Sequence, residues 1–558
     1  MPYLLILLTL TNILSINAII NKPNILFIAI DDLRPEIAGP YGQPQIHTPN
    51  LQQLANQSTT FIKAYCQVAL CSPSRTSLLT GLRPDTSKVW TIGPYFRTTM
   101  GHLGNKVITL PQYFKQHGYR TTGVGKIFHP GMSSGGPSKS EGGGDGGYPF
   151  RANGSWSKPY FFCDQFYNGT FQSPKAQQWP NGSGCIQSLS CIQCLKDQGG
   201  LKPTTKPVWF AASCPDNCFP DGAVADEAVR QLNVYGASNQ LNHSTQPFFL
   251  AVGFKRPHLG WFGPKKYFDL YKNDPTIRLA KHRLPPLQMP HIAFSGNGEI
   301  CGMDGVNCTV VSNISTNYKP YQIIPDMQHL PLRKAYYSVV SFMDAQLGKV
   351  MNALNRSGLR DKTIVVLWGD HGYHLGEHGI FCKITNFEDA TRVPLMISVP
   401  EVQTPISSAL VEHLDVYPTL VELAGLPSRG DALEGKSLVS LLRIEEDEDV
   451  LSVPSYAFSQ ISRLNATNVT NSKMGITMRT EKYRYTEWLN FDGVNVALIG
   501  SVAVLPELYM HDVNEDVNDF DATENVNVAL YKKNEELVME IHELLKKNWN
   551  TQEWIGDE

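Results

Sequence analysis

The chain has 558 residues, of which 42% are hydrophobic and 18% charged, so it can bury a large core and is not generally disordered. Its 48 Lys and Arg residues against 51 Asp and Glu give a net charge of −3, which excludes global attraction to nucleic acid. We therefore expect no nucleic-acid partner, and an anionic substrate would have to be recognised by a local cluster of basic side chains.

The first predicted segment is an export signal at residues 1–18. Residues 4–20 are mostly apolar, but polar side chains interrupt them and the run is short for a membrane span. Ala18 suits cleavage, and an uncleaved anchor is the alternative. We expect a protein of the secretory pathway, lysosomal or secreted, with no stable membrane span after signal cleavage. Ten N-x-S/T sequons fit a glycoprotein of that pathway: Asn56, Asn153, Asn168, Asn181, Asn242, Asn307, Asn313, Asn355, Asn465 and Asn468.

The first predicted strand covers residues 24–30, a continuous apolar run that is typical of a strand buried on both faces. It ends in Asp31 and Asp32. Two acids at a strand end can hold a cation, or they can simply form a turn or a helix cap.

Residues 71–81 predict a loop that runs into a helix. A serine can cap this helix, Pro73 suits its first turn, and Gly81 can end it. Cys71 then lies near the helix N-terminus with Arg75 one turn further on, an arrangement typical of an anion site that carries a reactive atom. Taken by itself, Cys71 could also be a structural cysteine on a capped helix.

A glycine-rich turn follows in residues 118–129, where Lys126 and His129 are three apart and can face one site. Nucleotide binding is the alternative, but the third glycine of a dinucleotide fingerprint is absent. Residues 131–147 are rich in Gly and Ser and predict a loop.

Most of the 11 cysteines lie between residues 163 and 308, where an oxidising compartment favours disulfides. They are Cys163, Cys185, Cys191, Cys194, Cys214, Cys218, Cys301 and Cys308. The Cys191-x-x-Cys194 pair could indicate zinc or redox chemistry, but no matching His and Cys quartet accompanies it. Cys66 and Cys382 lie outside the group and are candidates for free thiols.

Two later apolar runs predict further buried strands, at residues 248–254 and 363–368. The second of them ends in Asp370 and His371. Ligands of open α/β sheets bind at the carboxyl edge of the strands, so three carboxylates are expected to meet there. Converging anions need a cation, and oxygen ligands in a flexible site favour calcium.

His371, His374 and His378 raise the alternative of zinc. His374 and His378 are four apart, as two ligands on a helix would be. Gly376 and Glu377 stand between them in an order that does not meet the metalloprotease pattern, so zinc is not favoured.

Helical patterns at residues 332–355 and 413–424 lie between the strands. We therefore predict an α/β fold with a large central, mostly parallel sheet flanked by helices. The acidic run at 445–449 is the predicted boundary between a catalytic domain, 19–444, and a smaller C-terminal α+β subdomain, 450–558.

The string from Cys71 to Gly81 resembles the first signature of the sulfatase family, and residues 118–129 resemble the second. The resemblance implies an alkaline-phosphatase/sulfatase-like fold. It also implies that a formylglycine-generating enzyme oxidises Cys71 to formylglycine, whose hydrated aldehyde is the nucleophile. Ten cysteines then remain, which could pair.

The resemblance further implies one calcium ion with five ligands: Asp31, Asp32, Cys71, Asp370 and His371. It implies six catalytic residues: Cys71, Arg75, Lys126, His129, His258 and Lys383. In these roles His258 or Lys383 donates a proton to the departing sugar oxygen, and His129 is the base that releases sulfate.

Across nearly the whole chain the resemblance is to the branch of the family that removes the 2-O-sulfate of terminal iduronate from heparan and dermatan sulfate fragments. The expected substrate contacts are Tyr373, Arg479, Lys482, Arg484 and Trp488. Tyr373 stands where that branch has Trp, and residues 131–220 are longer and richer in cysteine. The alternatives are another secreted aryl-, choline- or carbohydrate sulfatase, or a phosphomonoesterase or phosphonate hydrolase of the same superfold.

Overall fold

The computed structural model describes residues 22–136, 144–146, 151–162, 166–167, 170–171, 189–199, 206–241, 246–311, 321–402, 406–442, 455–464, 472–492, 497–498, 506–511, 519 and 523–549. The predicted signal at 1–18 and the predicted boundary at 445–449 lie outside these residues. Among the described helices, none is both long and apolar enough to cross a membrane.

A seven-stranded sheet forms the centre of the molecule. Its strands are β1 (Asn24–Ile30), β2 (Thr59–Tyr65), β3 (Arg120–Gly125), β4 (Phe248–Phe254), β5 (Thr363–Gly369), β6 (Arg392–Ser398) and β7 (Ile406–Glu412). They are arranged in the order β7-β2-β6-β5-β1-β4-β3, with only β6 antiparallel to its neighbours. The prediction of a large, mostly parallel central sheet is confirmed.

The three apolar runs are neighbours in this sheet, because β1 pairs in parallel with β5 on one side and β4 on the other. The predicted bounds of β1 and β4 agree with the structure, and β5 is longer by Gly369. Since all three strands run in the same direction, the residues that follow them meet at one edge.

Helices cover both faces of the sheet. The longer ones are α1 (Pro49–Ala55), α2 (Cys71–Thr80), α3 (Leu110–Gln116), α4 (Leu189–Asp197), α5 (Pro220–Gln240), α6 (Asp326–Arg356), α7 (Val416–Leu423) and α8 (Glu535–Asn548). Alternate side chains of β1 enter two separate cores, one with α5 and α6 and the other with α2, α3 and α7. The helix predicted at 332–355 starts earlier, since Pro331 lies inside α6 and does not begin it.

Short elements complete the described part of the catalytic region. Four-to-five-residue helices lie at Pro84–Ser87, Phe96–Thr99, Lys265–Asp269 and Glu388–Thr391. Two-stranded pairs are Phe166–Tyr167 with Thr170–Phe171, Trp209–Ala212 with Trp261–Pro264, and Thr309–Val311 with Tyr321–Ile323.

A second, antiparallel sheet lies near the C-terminus. Its strands are β8 (Tyr456–Arg463), β9 (Ser472–Thr480), β10 (Tyr483–Asp492), β11 (Ala497–Leu498) and β12 (Glu507–Met510). Helix α8 packs Ile541 and Leu545 into the core of this sheet. Ser459 Oγ donates to the carbonyl of Cys66 at 2.6 Å, so β8 is joined to the end of β2.

The expected disulfides are present in the described part of the cysteine-rich region. The pairs are Cys191–Cys218, Cys194–Cys214 and Cys301–Cys308. The two cysteines of the C-x-x-C motif therefore bond to different partners, which removes the zinc and redox alternatives. Cys163 and Cys185 lie outside the described residues. Among the cysteines that the structure describes, Cys66, Cys71 and Cys382 are free thiols.

Candidate active site

The ends of β1 and β5 bring three carboxylates together at the carboxyl edge of the sheet. The backbone amide of Asp31 donates to the carbonyl of Phe254, and that of Asp370 donates to the carbonyl of Ile30. Asp32 adopts a left-handed φ of 62°, which aspartate tolerates better than most residues, and its amide donates to Asp370 Oδ1 at 2.9 Å. All three side chains are fully buried.

Cys71 lies beside these acids as the first residue of α2. Its Sγ lies 3.3 Å from Nε2 of His371 and 3.9 Å from both Oδ1 of Asp32 and Nζ of Lys383. Burial, helped by the charge of Asp31, raises the pKa of the thiol well above its ordinary value. An unmodified Cys71 would therefore be a neutral thiol and a weak nucleophile.

The helix that carries Cys71 ends as predicted but starts differently. Gly81 closes it with a left-handed φ of 71°. The predicted serine cap is wrong, because the residue before the helix is Leu70 and no side chain caps it. Ser74 Oγ donates instead to the carbonyl of Asp370, which fixes α2 against the end of β5.

Arg75 holds two of the acids in place. Its Nε donates to Asp370 Oδ2 at 2.7 Å, and its Nη2 lies 3.2 Å from Asp31 Oδ1. The guanidinium also donates to the carbonyl of Ile127 and lies over the Trp368 ring, 5.6 Å from its centroid. Because the buried guanidinium is already paired with these groups, the role of Arg75 is to orient the two carboxylates.

Two lysines supply the remaining positive charge. Lys126 Nζ is bonded to Asp31 Oδ2, and Lys383 Nζ lies 2.8 Å from Asp32 Oδ2. Burial alone would raise the pKa of Asp31, but Lys126, His258 and Arg75 hold it well below its usual range. The negative charges of the three buried aspartates are thus balanced by the positive charges of Arg75, Lys126 and Lys383.

Two glycines allow Lys126 to approach the sheet. A Cβ at Gly253 would lie 2.0 Å from the carbonyl oxygen of Lys126, and one at Gly125 would lie 2.0 Å from that of Gly253. Any side chain at either position would push Lys126 away from Asp31. The glycine-rich pattern therefore has a packing role at this edge.

His258 and His129 lie at the same edge. One ring nitrogen of His258 lies within 4.8 Å of donor atoms of Asp31, Asp32 and Cys71, so His258 joins a group that was predicted without it. Burial, then Lys383, lowers its pKa well below the ordinary value. His129 Nδ1 lies 2.9 Å from Ser133 Oγ, and burial followed by Lys126 lowers its pKa to about 3. Both rings are therefore neutral.

The donor atoms fit the predicted calcium ion. Carboxylate oxygens of Asp31 and Asp370 lie within 4.8 Å of one another, of Cys71 Sγ and of a His371 ring nitrogen. His371 Nδ1 lies 2.9 Å from the carbonyl of Gly372, so Nε2 is the nitrogen that faces the group. A set dominated by carboxylates suits a hard cation, while the single nitrogen donor is its least typical member.

Glu299 is a neighbour of the site that the sequence pattern did not predict. Its carboxylate lies 3.3 Å from Lys383 Nζ, and its side chain is 28% exposed. No motif surrounds Glu299 in the sequence, so only the folded chain could place it beside Lys383.

The predicted substrate contacts in the C-terminal sheet need correction. Arg479 and Arg484 are 3% and 1% exposed, and both are paired with Glu388. Arg484 also binds Glu524, which completes a buried clamp between β10 and the helix Glu388–Thr391. These arginines form structural ion pairs and are not available as the predicted substrate contacts.

The two aromatic candidates are buried as well. Trp488 is 1% exposed and donates from Nε1 to Glu507 at 2.7 Å. Tyr373 is 1% exposed, and its hydroxyl donates to the carbonyl of Phe381 at 3.0 Å. Neither ring offers a face to a sugar. Lys482 is the exposed member of the predicted set, and its role stays a prediction.

Replacing Arg484 with Met should lower the free energy of unfolding by about 3–5 kcal/mol, since two buried carboxylates lose their shared partner. Burial raises the pKa of Glu524, but Arg484 and then His511 bring it down to about 2. A carboxylate with a depressed pKa contributes stability above its unfolded value near 4.5 and loses it as pH falls towards 2. Denaturation curves at pH 7, 5 and 3 should show the deficit of Arg484→Met shrinking only at pH 3.

The matched control for this clamp is Lys63→Met. Lys63 pairs with Glu481, whose side chain is half exposed, so the change should cost no more than about 1 kcal/mol. Equal effects of the two substitutions would show that burial of the Arg484 pairs has no energetic consequence.

Comparisons with known proteins agree with this fold. Residues 23–426 match the sequence profile of the family described as Sulfatase, and residues 376–549 match that of the N-sulphoglucosamine sulphohydrolase C-terminal region. The chain belongs to the sulfatase family and is a sulfuric ester hydrolase.

Individual proteins that resemble this chain include one curated relative and two solved structures. The chain is 34% identical to iduronate 2-sulfatase of Mus musculus over 526 residues, which is 85% of this chain and 86% of that protein. Two solved structures share the fold at lower identity. A 2-O GAG sulfatase aligns over 94% of this chain and 92% of its own, with a TM-score of 0.61 and 18% identity. The phosphonate monoester hydrolase of Agrobacterium radiobacter aligns over 94% and 95%, with a TM-score of 0.63 and 19% identity.

Proposed function

We propose that the protein removes the 2-O-sulfate of terminal iduronate in heparan and dermatan sulfate fragments, using formylglycine at position 71 and one calcium ion. The observation that carries the proposal is the position of Cys71. It begins a helix beside Asp31, Asp32, Asp370 and His371 in a chain that is 34% identical to an iduronate 2-sulfatase.

A formylglycine at 71, made by a formylglycine-generating enzyme, would supply a hydrated aldehyde with two hydroxyls, one to attack sulfur and one whose deprotonation would expel sulfate and restore the aldehyde. Calcium, when bound, supplies a fixed positive charge for the sulfuryl oxygens. Its ligands are Asp31, Asp32, Asp370 and His371, with the residue at 71.

Side chains of the protein orient the acids, stabilise negative charge and transfer protons. Arg75 keeps Asp31 and Asp370 in one orientation, since it bonds to both. Lys383 Nζ lies 3.9 Å from Cys71 Sγ, and Lys126 is bonded to Asp31, so both can stabilise negative charge on the sulfuryl group. Of the two predicted proton donors, Lys383 is the one that carries a proton for the departing sugar oxygen, because burial and the charge of Lys383 lower the pKa of His258 and leave its ring neutral. Neutral His129 takes the proton whose loss releases sulfate.

The cellular setting follows from the N-terminal pattern and the disulfides. A cleaved signal at 1–18, ten sequons and three disulfides favour the secretory pathway, with the lysosome as destination and secretion as the alternative. We divide the chain into a catalytic domain, 19–444, and a C-terminal subdomain, 450–558, that supports the site through the Glu388 clamp.

The test compares substrates on the wild-type protein made in a host that has the converting enzyme. We expect terminal 2-sulfated iduronate to be cleaved with a higher kcat/KM than a small aryl sulfate, and a matched phosphonate ester to be the poorest of the three. Cleavage of the aryl sulfate alone would reject the uronate substrate, and a preference for the phosphonate would favour the phosphonate hydrolase alternative.

Lys482→Ala tests the remaining predicted substrate contact, for which we propose an ion pair with the carboxylate of the uronate. It should lower kcat/KM about tenfold or more on the uronate substrate and leave the aryl sulfate unchanged, because only the former loses a charged hydrogen bond. Equal effects on the two substrates would exclude this role of Lys482 while leaving the wild-type comparison to judge the function.

A further inference from the structure

His374, His378 and Asp389 form a second group of side chains that could hold a metal ion, and none of the three belongs to the predicted calcium ligands. Nδ1 of His374 lies 3.5 Å from Oδ2 of Asp389, and Nδ1 of His378 lies 3.7 Å from the same oxygen. The three donor atoms lie within 4.8 Å of one another, and each side chain is at most 1% exposed. The arrangement is compact, buried and mixed in nitrogen and oxygen donors.

The imidazoles are oriented as ligands usually are. Nε2 of His374 lies 2.9 Å from Oγ1 of Thr385, and the His378 ring is hydrogen-bonded to the backbone of Thr523. Within the described part of the chain, Nδ1 of each ring is buried without a hydrogen-bond partner. Metal-binding histidines commonly hold one nitrogen with an outer hydrogen bond and direct the other at the ion.

The backbone between the histidines is not helical, so their side chains are not brought together by the i, i+4 spacing of a helix. Gly376 has a φ of 110° and His378 a φ of 58°. A left-handed conformation is uncommon for a histidine and persists only where its surroundings impose it. It turns the His378 ring to within 5.7 Å of the His374 ring, centroid to centroid.

The separations suit a small ion. A tetrahedral zinc ion with bonds of about 2.1 Å keeps its ligands about 3.4 Å apart, close to the observed 3.5 and 3.7 Å. These distances exceed an ordinary N–H···O hydrogen bond, so the side chains have not closed on one another. Two imidazoles and one carboxylate are a donor set that zinc takes readily.

We propose that His374, His378 and Asp389 bind a zinc ion, separate from the predicted calcium site. Three protein ligands leave one position for water. Oδ1 of Asp389 lies 3.6 Å from Arg34, whose charge is matched by Glu377, so Oδ2 is the oxygen that serves the ion. The ion ties the turn at 374–378 to the helix Glu388–Thr391, the two segments that flank Lys383 in the chain.

The experiment measures zinc and calcium separately in the full-length protein, after chelation and dialysis against both ions. Elemental analysis should find one zinc per chain in the wild type, and added zinc should raise its Tm. His374→Gln and Asp389→Asn should lose the bound zinc and the zinc-dependent rise in Tm. His102→Gln, which changes an exposed histidine, should keep both.

Two further variants test whether a loss of zinc is caused by misfolding and whether the zinc site is independent of the predicted calcium site. Thr385→Val keeps all three ligands but removes the hydrogen bond to His374 Nε2, and it should weaken zinc binding about 10–100-fold. This variant therefore tests the zinc site even if His374→Gln does not fold. Asp370→Asn should retain zinc, since it alters only the predicted calcium site. A folded wild type without zinc, zinc binding unchanged in His374→Gln, or zinc lost in Asp370→Asn would each overturn the proposal.

Discussion

Cys71→Ala is expected to abolish sulfate release while the fold is retained. The side chain is fully buried, but its polar neighbours lie 3.3 Å or more from Sγ, so its removal leaves a small cavity that costs about 1 kcal/mol. The reaction, in contrast, loses its nucleophile and with it nearly all of the rate. Sulfate release and thermal unfolding, measured on the same preparation, separate the two effects.

Cys71→Ser is the sharper control for this nucleophile. A serine hydroxyl can attack sulfur, but it has no second hydroxyl to collapse against, so the enzyme should stop after one turnover. The expected result is one equivalent of desulfated product per enzyme, with the sulfate retained as an ester on the introduced serine. Mass spectrometry of the wild-type peptide spanning Cys71 should show the aldehyde. Wild-type turnover by Cys71→Ala would end the formylglycine hypothesis.

The position of the site could be predicted because it depends on short sequence patterns, each formed by neighbouring residues. Apolar runs of strand length stop at Asp31 and at Asp370, and parallel strands must deliver such residues to one edge. The helix at Cys71 was predictable for the same reason, since a proline near its start and Gly81 at its end mark it. Each of these features depends on neighbours within about ten residues.

The failures concern contacts between distant segments. Arg484 is paired with Glu388 and Glu524, which lie 96 and 40 residues away, and no local pattern distinguishes a clamped arginine from a free one. The pairing of Cys191 with Cys218 was likewise undetermined, because spacing does not fix connectivity. Asp389 completes a cluster with His374 only because the chain turns back between them.

The same reasoning explains why substrate specificity is harder to predict than chemistry. The sulfate site uses residues at the ends of strands, whose direction follows from the fold. The sugar must be bound by exposed side chains, and whether a side chain is exposed depends on how distant segments pack. Trp488 and Tyr373 have suitable chemistry for a sugar, but the packing of the chain buries both.

Asp370→Asn should lower kcat/KM by about a thousandfold, equivalent to roughly 4 kcal/mol of lost stabilisation in a buried charged site. Its carboxylate accepts from Arg75 Nε at 2.7 Å and from the amides of Asp32 and His371 at 2.9 and 3.0 Å. The isosteric amide keeps the volume but removes the charge that opposes Arg75 and serves the predicted calcium. Bound calcium should therefore fall together with activity.

Asp344→Asn separates this effect from a general loss of stability. Asp344 is also 1% exposed and accepts from the Leu51 amide at 2.7 Å and from Asn50 Nδ2 at 2.8 Å, but it joins α6 to α1 and touches no residue of the site. Its variant should unfold at a lower temperature and keep its calcium content and its kcat/KM at temperatures where it is folded. If Asp370→Asn retained calcium and wild-type kcat/KM, Asp370 would have no part in binding the metal, and Arg75 would be oriented without its charge.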